Sequence, residues 1–283
     1  MQVAEEARGL LATIRVRLRG RDTALVAAGL TFYAGIAVVP VLVLALALTS
    51  WLTSPETVRD LTGRLAEVLP EQLGAPGALD RLASAGTTLD PLQAVLTLLP
   101  ISLYGEGIRR ALLRFTPADD RFTAWRGRLL SLPLLLVAPL LLYPLLLAGR
   151  TLAELAEQPG VGASIGGFAV GYYSVLLALT VPLIWVFRVV AAGRLRWAAV
   201  VAGALLTAAS LSGFLQGFVV FLALPLDLGA PFGGLTVVGG VVAVGFWLFL
   251  LHLVLIAGWL FTGALDERLR RGKAELSRTG APR

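Results

Sequence analysis

Long apolar stretches alternate with short polar segments along the whole chain. A helix needs about 20 mostly apolar residues to cross a bilayer, and six stretches reach that length. They predict an all-α fold, a polytopic membrane protein with six transmembrane helices. The predicted spans are Ala24–Leu52, Leu92–Leu113, Arg128–Gly149, Gly166–Val190, Trp197–Ala223 and Gly234–Phe261.

The basic residues indicate how these spans are oriented. Of the 24 Lys and Arg residues, 20 lie on alternate flanks that begin with the N-terminal one, and 4 lie on the other flanks. Because cytoplasmic flanks retain Lys and Arg, both termini are predicted to be cytoplasmic. The net charge of +6 then favours contact with anionic lipid head groups. The basic residues form no continuous stripe, so membrane lipids are the expected partners and nucleic acid is not.

Composition leaves little room outside the membrane domain. Hydrophobic residues make up 57% of the chain and charged residues 15%, against about 25% charged in soluble domains. Residues 1–23 are predicted to be a basic cytoplasmic segment, either an amphipathic helix on the inner leaflet or a frayed lead-in. Residues 24–262 form the six-helix domain. Residues 263–283 form a basic cytoplasmic tail that is expected to be disordered.

The loop between the first two spans, residues 53–91, is the longest external segment. Its apolar residues follow a helical 3-4-3 spacing: Val58, Leu61, Leu65 and Val68. This spacing predicts an amphipathic helix, and Pro55 fits its first turn. A second short helix is predicted from Gly77 to about Ser84. The loop is either a lid over an external opening or a connector whose apolar side rests on the bundle.

Proline and glycine within the spans bear on helix packing. The span prolines are Pro40, Pro100, Pro133, Pro139, Pro144 and Pro182. They either open a cavity by kinking helices or are ordinary in membrane helices. The pairs Gly167-x-x-x-Gly171 and Gly213-x-x-x-Gly217 allow close approach of helices. Packing within one chain accounts for them, and a homo-oligomer interface is the open alternative.

Polar side chains at membrane depth are few, which makes them candidates for substrate binding. The candidate residues are Tyr33, Tyr104, Glu106, Arg109, Arg110, Arg188 and His252, with Thr31 nearby. All fall in the predicted cytoplasmic half, so they predict a polar cavity open to the cytoplasm. Glu106 is expected to pair with Arg110 four residues later. Two other interpretations stay open: the arginines snorkel to head groups, and His252 only bonds a neighbouring helix.

Catalysis is not expected from these residues. The absence of cysteine excludes disulfides and thiolate nucleophiles. Metal-dependent hydrolysis needs several His or carboxylate ligands, and the spans offer one of each, Glu106 and His252. We therefore predict no enzyme activity, no catalytic residue, no metal and no cofactor.

Three segments together resemble the YihY/BrkB family of bacterial inner-membrane proteins, also labelled envelope integrity proteins. The first is Ala27-Ala28-Gly29-Leu30-Thr31-Phe32-Tyr33 followed by Pro40. The second is Ser102-Leu103-Tyr104-Gly105-Glu106-Gly107-Ile108-Arg109-Arg110-Ala111-Leu112. The third is the turn before the last span, with Gly229, Phe232 and Gly233. Length and six-span topology match as well. The resemblance implies a multi-pass protein of the cytoplasmic (inner) membrane with a role in the cell envelope.

The chain departs from the family pattern at two places. Where the family often ends its last span with Gly-Ala-Glu, this chain reads Gly258-Trp259-Leu260 and lacks the carboxylate. Tyrosines usual between the last two spans are replaced, with Phe218 and Phe221 nearby. Members of the family have been labelled tRNA-processing ribonucleases, an activity that the residues of this chain do not support.

These observations lead to three hypotheses about function. The first is transport or flipping of a lipid or another anionic amphiphile, with Arg109 and Arg110 binding the head group, Glu106 orienting them and His252 sensing protonation. The second is a non-transporting scaffold for envelope assembly, suggested by the amphipathic external loop and the glycine pairs. A membrane enzyme is the third.

Overall fold

Helices are the only regular secondary structure in the part of the chain that the structure describes. The structure is a computed structural model, and it describes residues 9, 14–16, 18–69, 74–116, 123–158, 160–191 and 195–279. In chain order its helices are α1 Thr23–Leu52, α2 Pro55–Glu67, α3 Ala75–Thr87, α4 Pro91–Leu113, α5 Thr123–Ser131, α6 Pro133–Ala156, α7 Val161–Trp185 with a π-helical turn Val186–Val190, α8 Trp197–Leu222, a 3-10 turn Ala230–Phe232 and α9 Thr236–Thr279.

Five of the described helices are long and apolar enough to cross a membrane. They are α1, the Val137–Ala156 part of α6, α7 with its π-turn, α8 and the Thr236–Gly272 part of α9. The predicted all-α, multi-pass character is therefore confirmed. The predicted second span corresponds to α4, which has 23 residues but is less apolar because its second half carries Glu106, Arg109 and Arg110.

The five apolar helices form a closed ring of neighbours. Helix α1 packs on α6, α6 on α7, α7 on α8, α8 on α9, and α9 returns to α1, while α4 packs against α1 and α5. We call the end where α1 begins and α4 ends the basic end, because the sequence places most arginines there. The opposite end, where α2 and α3 lie, is the hairpin end.

The largest hydrophobic core lies towards the basic end, where α1, α4, α7, α8 and α9 meet. Leu30, Leu112 and Phe187 are fully buried in it, and Phe187 packs on Trp259 with 5.5 Å between ring centroids. Leu260, at the end of the Gly258-Trp259-Leu260 sequence, is also in this core. An apolar residue suits that position because a lone carboxylate there would lose its hydration.

Helices α2 and α3 form a hairpin that rests on the bundle. Ser54 caps α2 by accepting a hydrogen bond from the Thr57 backbone N–H. Val58 and Leu61 are buried together with Leu46 of α1 and Leu146 of α6. The predicted amphipathic helix is thus present, and its apolar side contacts the bundle as the connector interpretation requires. The second helix is longer than predicted and spans Ala75–Thr87.

The structure differs from the sequence-based prediction at the third span and in the C-terminal tail. The third predicted span is interrupted at Leu132, between α5 and α6, because Pro133, the first residue of α6, has no backbone N–H to continue the hydrogen bonds of α5. Helix α9 continues past Phe261 to Thr279, so the described part of the predicted tail is helical and not disordered. In the N-terminal segment, Ile14 and Leu18 pack on the main core; residues 1–8, 10–13 and 17 lie outside the described residues.

Helices α8 and α9 approach each other through reciprocal glycine–threonine contacts. A Cβ on Gly203 would lie 2.8 Å from Cβ of Thr262, and a Cβ on Gly258 would lie 2.8 Å from Cγ2 of Thr207. Each threonine hydroxyl donates to the carbonyl four residues earlier, at 2.6 and 2.7 Å, so both side chains are held in place. Sequence reasoning did not identify this pair, although Gly-x-x-x-Thr at both sites is a small-x-x-x-small pattern.

The predicted glycine pairs pack mainly within the chain. Gly171 faces Gln216 of α8, whose Nε2 lies 2.6 Å from the position of an added Cβ, and Gly217 faces Trp247. Gly213 has no neighbour within 4 Å of an added Cβ, and it is exposed. Three of the four glycines therefore contact residues of the same chain, since Gly167 also meets Leu152, and Gly171 makes the close approach among them.

Candidate functional site

One polar group within the bundle is centred on His252 and joins three helices. Its Nε2 lies 3.1 Å from the Tyr104 hydroxyl of α4, and its Nδ1 lies 3.4 Å from Oγ1 of Thr31 in α1. The same Nδ1 is 2.6 Å from the carbonyl oxygen of Leu248. His252 is 3% exposed, so these groups replace the water that it gives up.

The hydrogen-bond geometry fixes the tautomer of His252. A carbonyl oxygen only accepts, so Nδ1 carries the proton and donates to Leu248. The Thr31 hydroxyl already donates to the Ala27 carbonyl at 2.9 Å, which leaves its oxygen as a second acceptor for Nδ1. In the neutral imidazole Nε2 is then an acceptor, and Tyr104 donates to it. The open interpretation that His252 bonds neighbouring helices therefore agrees with the structure.

A second polar group is centred on Glu106. Its carboxylate accepts from Arg110 at 2.6 Å and from Arg128 of α5 at 2.7 Å. The side chain of Glu106 is 6% exposed, whereas Arg110 is 55% and Arg128 36% exposed. The predicted pair with Arg110 is present. Arg128 was missed because it lies 22 residues away in sequence, on a helix whose crossing with α4 no local pattern shows.

Glycines next to Glu106 allow its neighbours to come close. A Cβ on Gly105 would lie 2.7 Å from the Gly127 carbonyl, and a Cβ on Gly127 would lie 2.7 Å from Cα of Glu106. On the other side, a Cβ on Gly107 would lie 2.6 Å from the Tyr33 ring. The two glycines that flank Glu106 thus let the backbone of α5 approach that of α4 and let the Tyr33 ring of α1 pack against α4.

Arg109 makes a contact between α4 and the C-terminal end of α7. This side chain is 3% exposed, and Nη1 donates to the Val190 carbonyl at the end of the π-turn. A cation at a helix C-terminus is stabilised by the carbonyls that have no partner within the helix. Arg109 therefore fastens α4 to α7 at the basic end.

Arg188 lies apart from these groups, at an open apolar groove. This basic-end groove has a volume of about 790 Å³ and lies between the α5–α6 corner, α7 and the start of α8. Its lining includes Pro133, Val137, Val181, Trp185 and Trp197. Arg188 donates to the Leu195 carbonyl at 2.8 Å, and its guanidinium carbon lies 5.0 Å from the centroid of the Trp197 ring.

A second groove lies between α6 and α7 at the hairpin end. This hairpin-end groove has a volume of about 470 Å³, and its lining includes Leu65, Leu145, Ser164, Ser174 and Gln216. It is mostly apolar with a few uncharged polar groups. We call the line of contact between α6 and α7 the α6–α7 seam. One groove lies at each end of this seam.

The structure therefore divides the predicted site residues. Thr31, Tyr104 and His252 share one hydrogen-bonded group, Glu106 and Arg110 belong to a second, and Arg188 lines the basic-end groove. None of the others lines either groove. In the described part of the chain, no three His, Cys, Asp or Glu side chains come together as a metal site would require.

Comparison with known proteins gives the family of this chain. No curated protein and no solved structure matches it significantly. The family model described as virulence factor BrkB matches residues 14–281, which is nearly the whole chain. The match agrees with the resemblance seen in the sequence and with the membrane-spanning helices. This multi-pass membrane protein therefore belongs to the BrkB virulence factor family.

Proposed function

We propose that this protein moves an anionic amphiphile, a lipid or lipid-linked molecule, across the bacterial inner membrane along the α6–α7 seam. The observation that carries the proposal is the presence of two open, mainly apolar grooves on one seam, one at each end. Lipid tails need an apolar path, and a charged head group needs polar contacts where it enters and leaves. Arg188 provides such a contact at the basic end, and Gln216 with nearby serines provides it at the other.

Half-buried side chains of α6 and α7 lie between the two grooves. By helical spacing, Leu141 lies between Val137 and Leu145 on one face of α6, and Ala178 lies between Ser174 and Val181 on α7. Both are half-buried. Pro139 and Pro144 are inside α6 on either side of Leu141. Each proline removes one backbone hydrogen bond, so this part of α6 bends at lower cost than an unbroken helix.

The proposal also takes the chain to cross the membrane six times, with both termini in the cytoplasm. Helix α4 has 23 residues, about 34 Å at 1.5 Å per residue, against about 30 Å of hydrocarbon. It runs alongside α1, since Leu44 shares a cluster with Ala94 and Ile101, while Tyr33 meets Gly107. A helix that accompanies α1 over this length spans the same thickness.

Cysteine labelling tests the orientation, because the natural chain has no cysteine. Glu56→Cys on α2 is expected to react with an impermeant maleimide on intact spheroplasts, and Trp125→Cys on α5 only after lysis. Both positions are exposed, so access to the reagent depends on the side of the membrane. Reversed labelling would reject the topology.

A liposome assay tests transport. With fluorescent phosphatidylglycerol in both leaflets and a reductant added outside, the wild-type protein is expected to expose the inner pool and protein-free liposomes are not. Ala178→Trp adds bulk between the two grooves of the seam and is expected to bring the rate down to the protein-free level. Ala257→Trp is the matched control, since Ala257 is exposed on α9 away from the seam and should leave transport intact.

Two results would count against the proposal in different ways. Equal lipid movement in liposomes with wild-type protein and in liposomes without protein would reject the proposal that the protein transports lipid. Transport by wild type that persists in Ala178→Trp would keep transport but reject the seam as its route. The scaffold alternative has less support, because Val58 and Leu61 of the hairpin are buried on the chain's own bundle.

A further inference from the structure

We propose that the basic-end groove is a binding site for one anionic glycerophospholipid of the adjacent leaflet, with its phosphate on Arg188 and an acyl chain between α6 and α7. This inference deepens the transport proposal and rests on it for its role. The binding itself is a separate property that can be measured without transport.

Charge is the first argument for an anionic occupant. The only hydrogen-bond partner of Arg188 among the described residues is the Leu195 carbonyl, and no described carboxylate lies within ion-pair distance. Three other arginines at the basic end differ in this respect: Arg110 and Arg128 contact Glu106, and Arg270 contacts Asp266. Among the described residues, Arg188 therefore retains N–H groups and has no carboxylate partner, which suits a phosphate.

The walls of the groove provide the second argument. From Arg188 towards the middle of α6 and α7, the lining is aliphatic, with Pro133, Leu134, Val137, Val181 and Ile184. Its volume of about 790 Å³ is within the range of about 300–1,000 Å³ typical of small-molecule sites. An apolar wall beneath a single cation matches a lipid, whose chain is apolar and whose phosphate is next to it.

Aromatic side chains place the groove mouth at the membrane interface. Trp197 lies against the Arg188 guanidinium and is 58% exposed, and tryptophan is enriched at the level of the head groups. Trp185 donates from its indole N–H to the Leu130 carbonyl at 2.7 Å, which holds the α5–α6 corner against α7. Basic pockets between membrane helices on the cytoplasmic side are known to take anionic head groups.

Native mass spectrometry of the full-length protein in detergent tests this site. The probes are phosphatidylglycerol and phosphatidylcholine with identical acyl chains. The wild type is expected to retain phosphatidylglycerol preferentially, and Arg188→Gln to lower that affinity roughly tenfold, which corresponds to about 1.4 kcal/mol. Arg188→Lys keeps the charge and should lose less. Arg271→Gln removes an exposed charge from α9 and should bind like wild type.

A second pair of variants tests the acyl-chain part of the site. Val181→Trp fills the groove and is expected to abolish retention of the bound lipid. Val241→Trp places the same bulk on an exposed position of α9 and should retain it. Circular dichroism and size-exclusion profiles like those of wild type establish that each variant is folded.

The outcomes separate this inference from the transport proposal. Equal binding of both lipids by wild type, or equal losses in Arg188→Gln and Arg271→Gln, would reject the phosphate site. Equal retention by Val181→Trp and Val241→Trp would mean that the lipid is annular and not in the groove. Selective binding that depends on Arg188 would uphold the site even if the liposome assay shows no transport.

Discussion

Replacing both Arg110 and Arg128 with glutamine is expected to lower the free energy of unfolding by about 3–5 kcal/mol, the typical loss when a buried ion pair keeps only one partner. Glu106 is 6% exposed, and these two arginines hold its two carboxylate oxygens. Without them the carboxylate stays buried with its charge poorly compensated. Each single arginine change should cost less, because one partner remains.

Adding Glu106→Gln to the double variant is expected to restore much of the loss. A neutral amide is far less costly to bury than an unpaired carboxylate. Glu106→Gln alone should be milder than the arginine double variant, since Arg110 and Arg128 are partly exposed and can turn towards lipid head groups. Such non-additivity is the signature of groups that interact directly.

Thermal and denaturant unfolding in detergent, followed by tryptophan fluorescence, measures this series. A triple variant less stable than the arginine double variant would contradict the interpretation that charge burial dominates. Arg64→Gln provides a matched control, because Arg64 and its partner Asp60 are about half exposed and an exposed pair is worth about 0–1 kcal/mol.

Gly203→Ala and Gly258→Ala are expected to destabilise the α8–α9 interface by about 1–3 kcal/mol each, as overpacking of a close contact does. An added methyl group at either site falls within 3 Å of a threonine on the other helix. The threonines cannot easily rotate, because their hydroxyls are bonded to the Gly203 and Gly258 carbonyls. Unfolding midpoints in detergent provide the measurement.

A glycine of the same helix serves as the control. Gly213→Ala has no atom within 4 Å of the new methyl group, and alanine favours a helix by about 1 kcal/mol over glycine. We expect it to be neutral or stabilising. Adding Thr262→Ala to Gly203→Ala should recover part of the loss by making room; equal effects of Gly203→Ala and Gly213→Ala would rule out the contact as the cause.

The polar side chains of the bundle divide between two roles. Glu106 and His252 join α4 to its neighbours, and Arg109 joins it to α7. Their hydrogen-bonding groups are used within the chain, which suits a structural role. Of the candidate residues, Arg188 is the one that lines either groove, so the proposed head-group contact shifts to it from Arg109 and Arg110.

The sequence by itself determined the class of the protein and most of its helices. Five of the six predicted spans are described helices of sufficient length and apolarity, because a 20-residue apolar run has no other stable conformation in lipid. The helix at Pro55 and the pairing of Glu106 with Arg110 were equally predictable, since both depend on residues within one or two helical turns. Pro133 indicated a possible kink in the third predicted span, but the proline alone did not predict that the helix ends there and a new one begins.

Only the tertiary structure decided which helices touch and where space remains. The contact between Glu106 and Arg128, the bond from Arg109 to Val190 and the glycine–threonine pairs all join residues far apart in sequence. Similar depth in the membrane placed the polar residues at one level but not around one cavity, because depth does not specify which way a helix faces. The two grooves lie at the two ends of the α6–α7 contact, where residues of α2, α5 and α8 complete their walls, and that geometry depends on the neighbours of both helices.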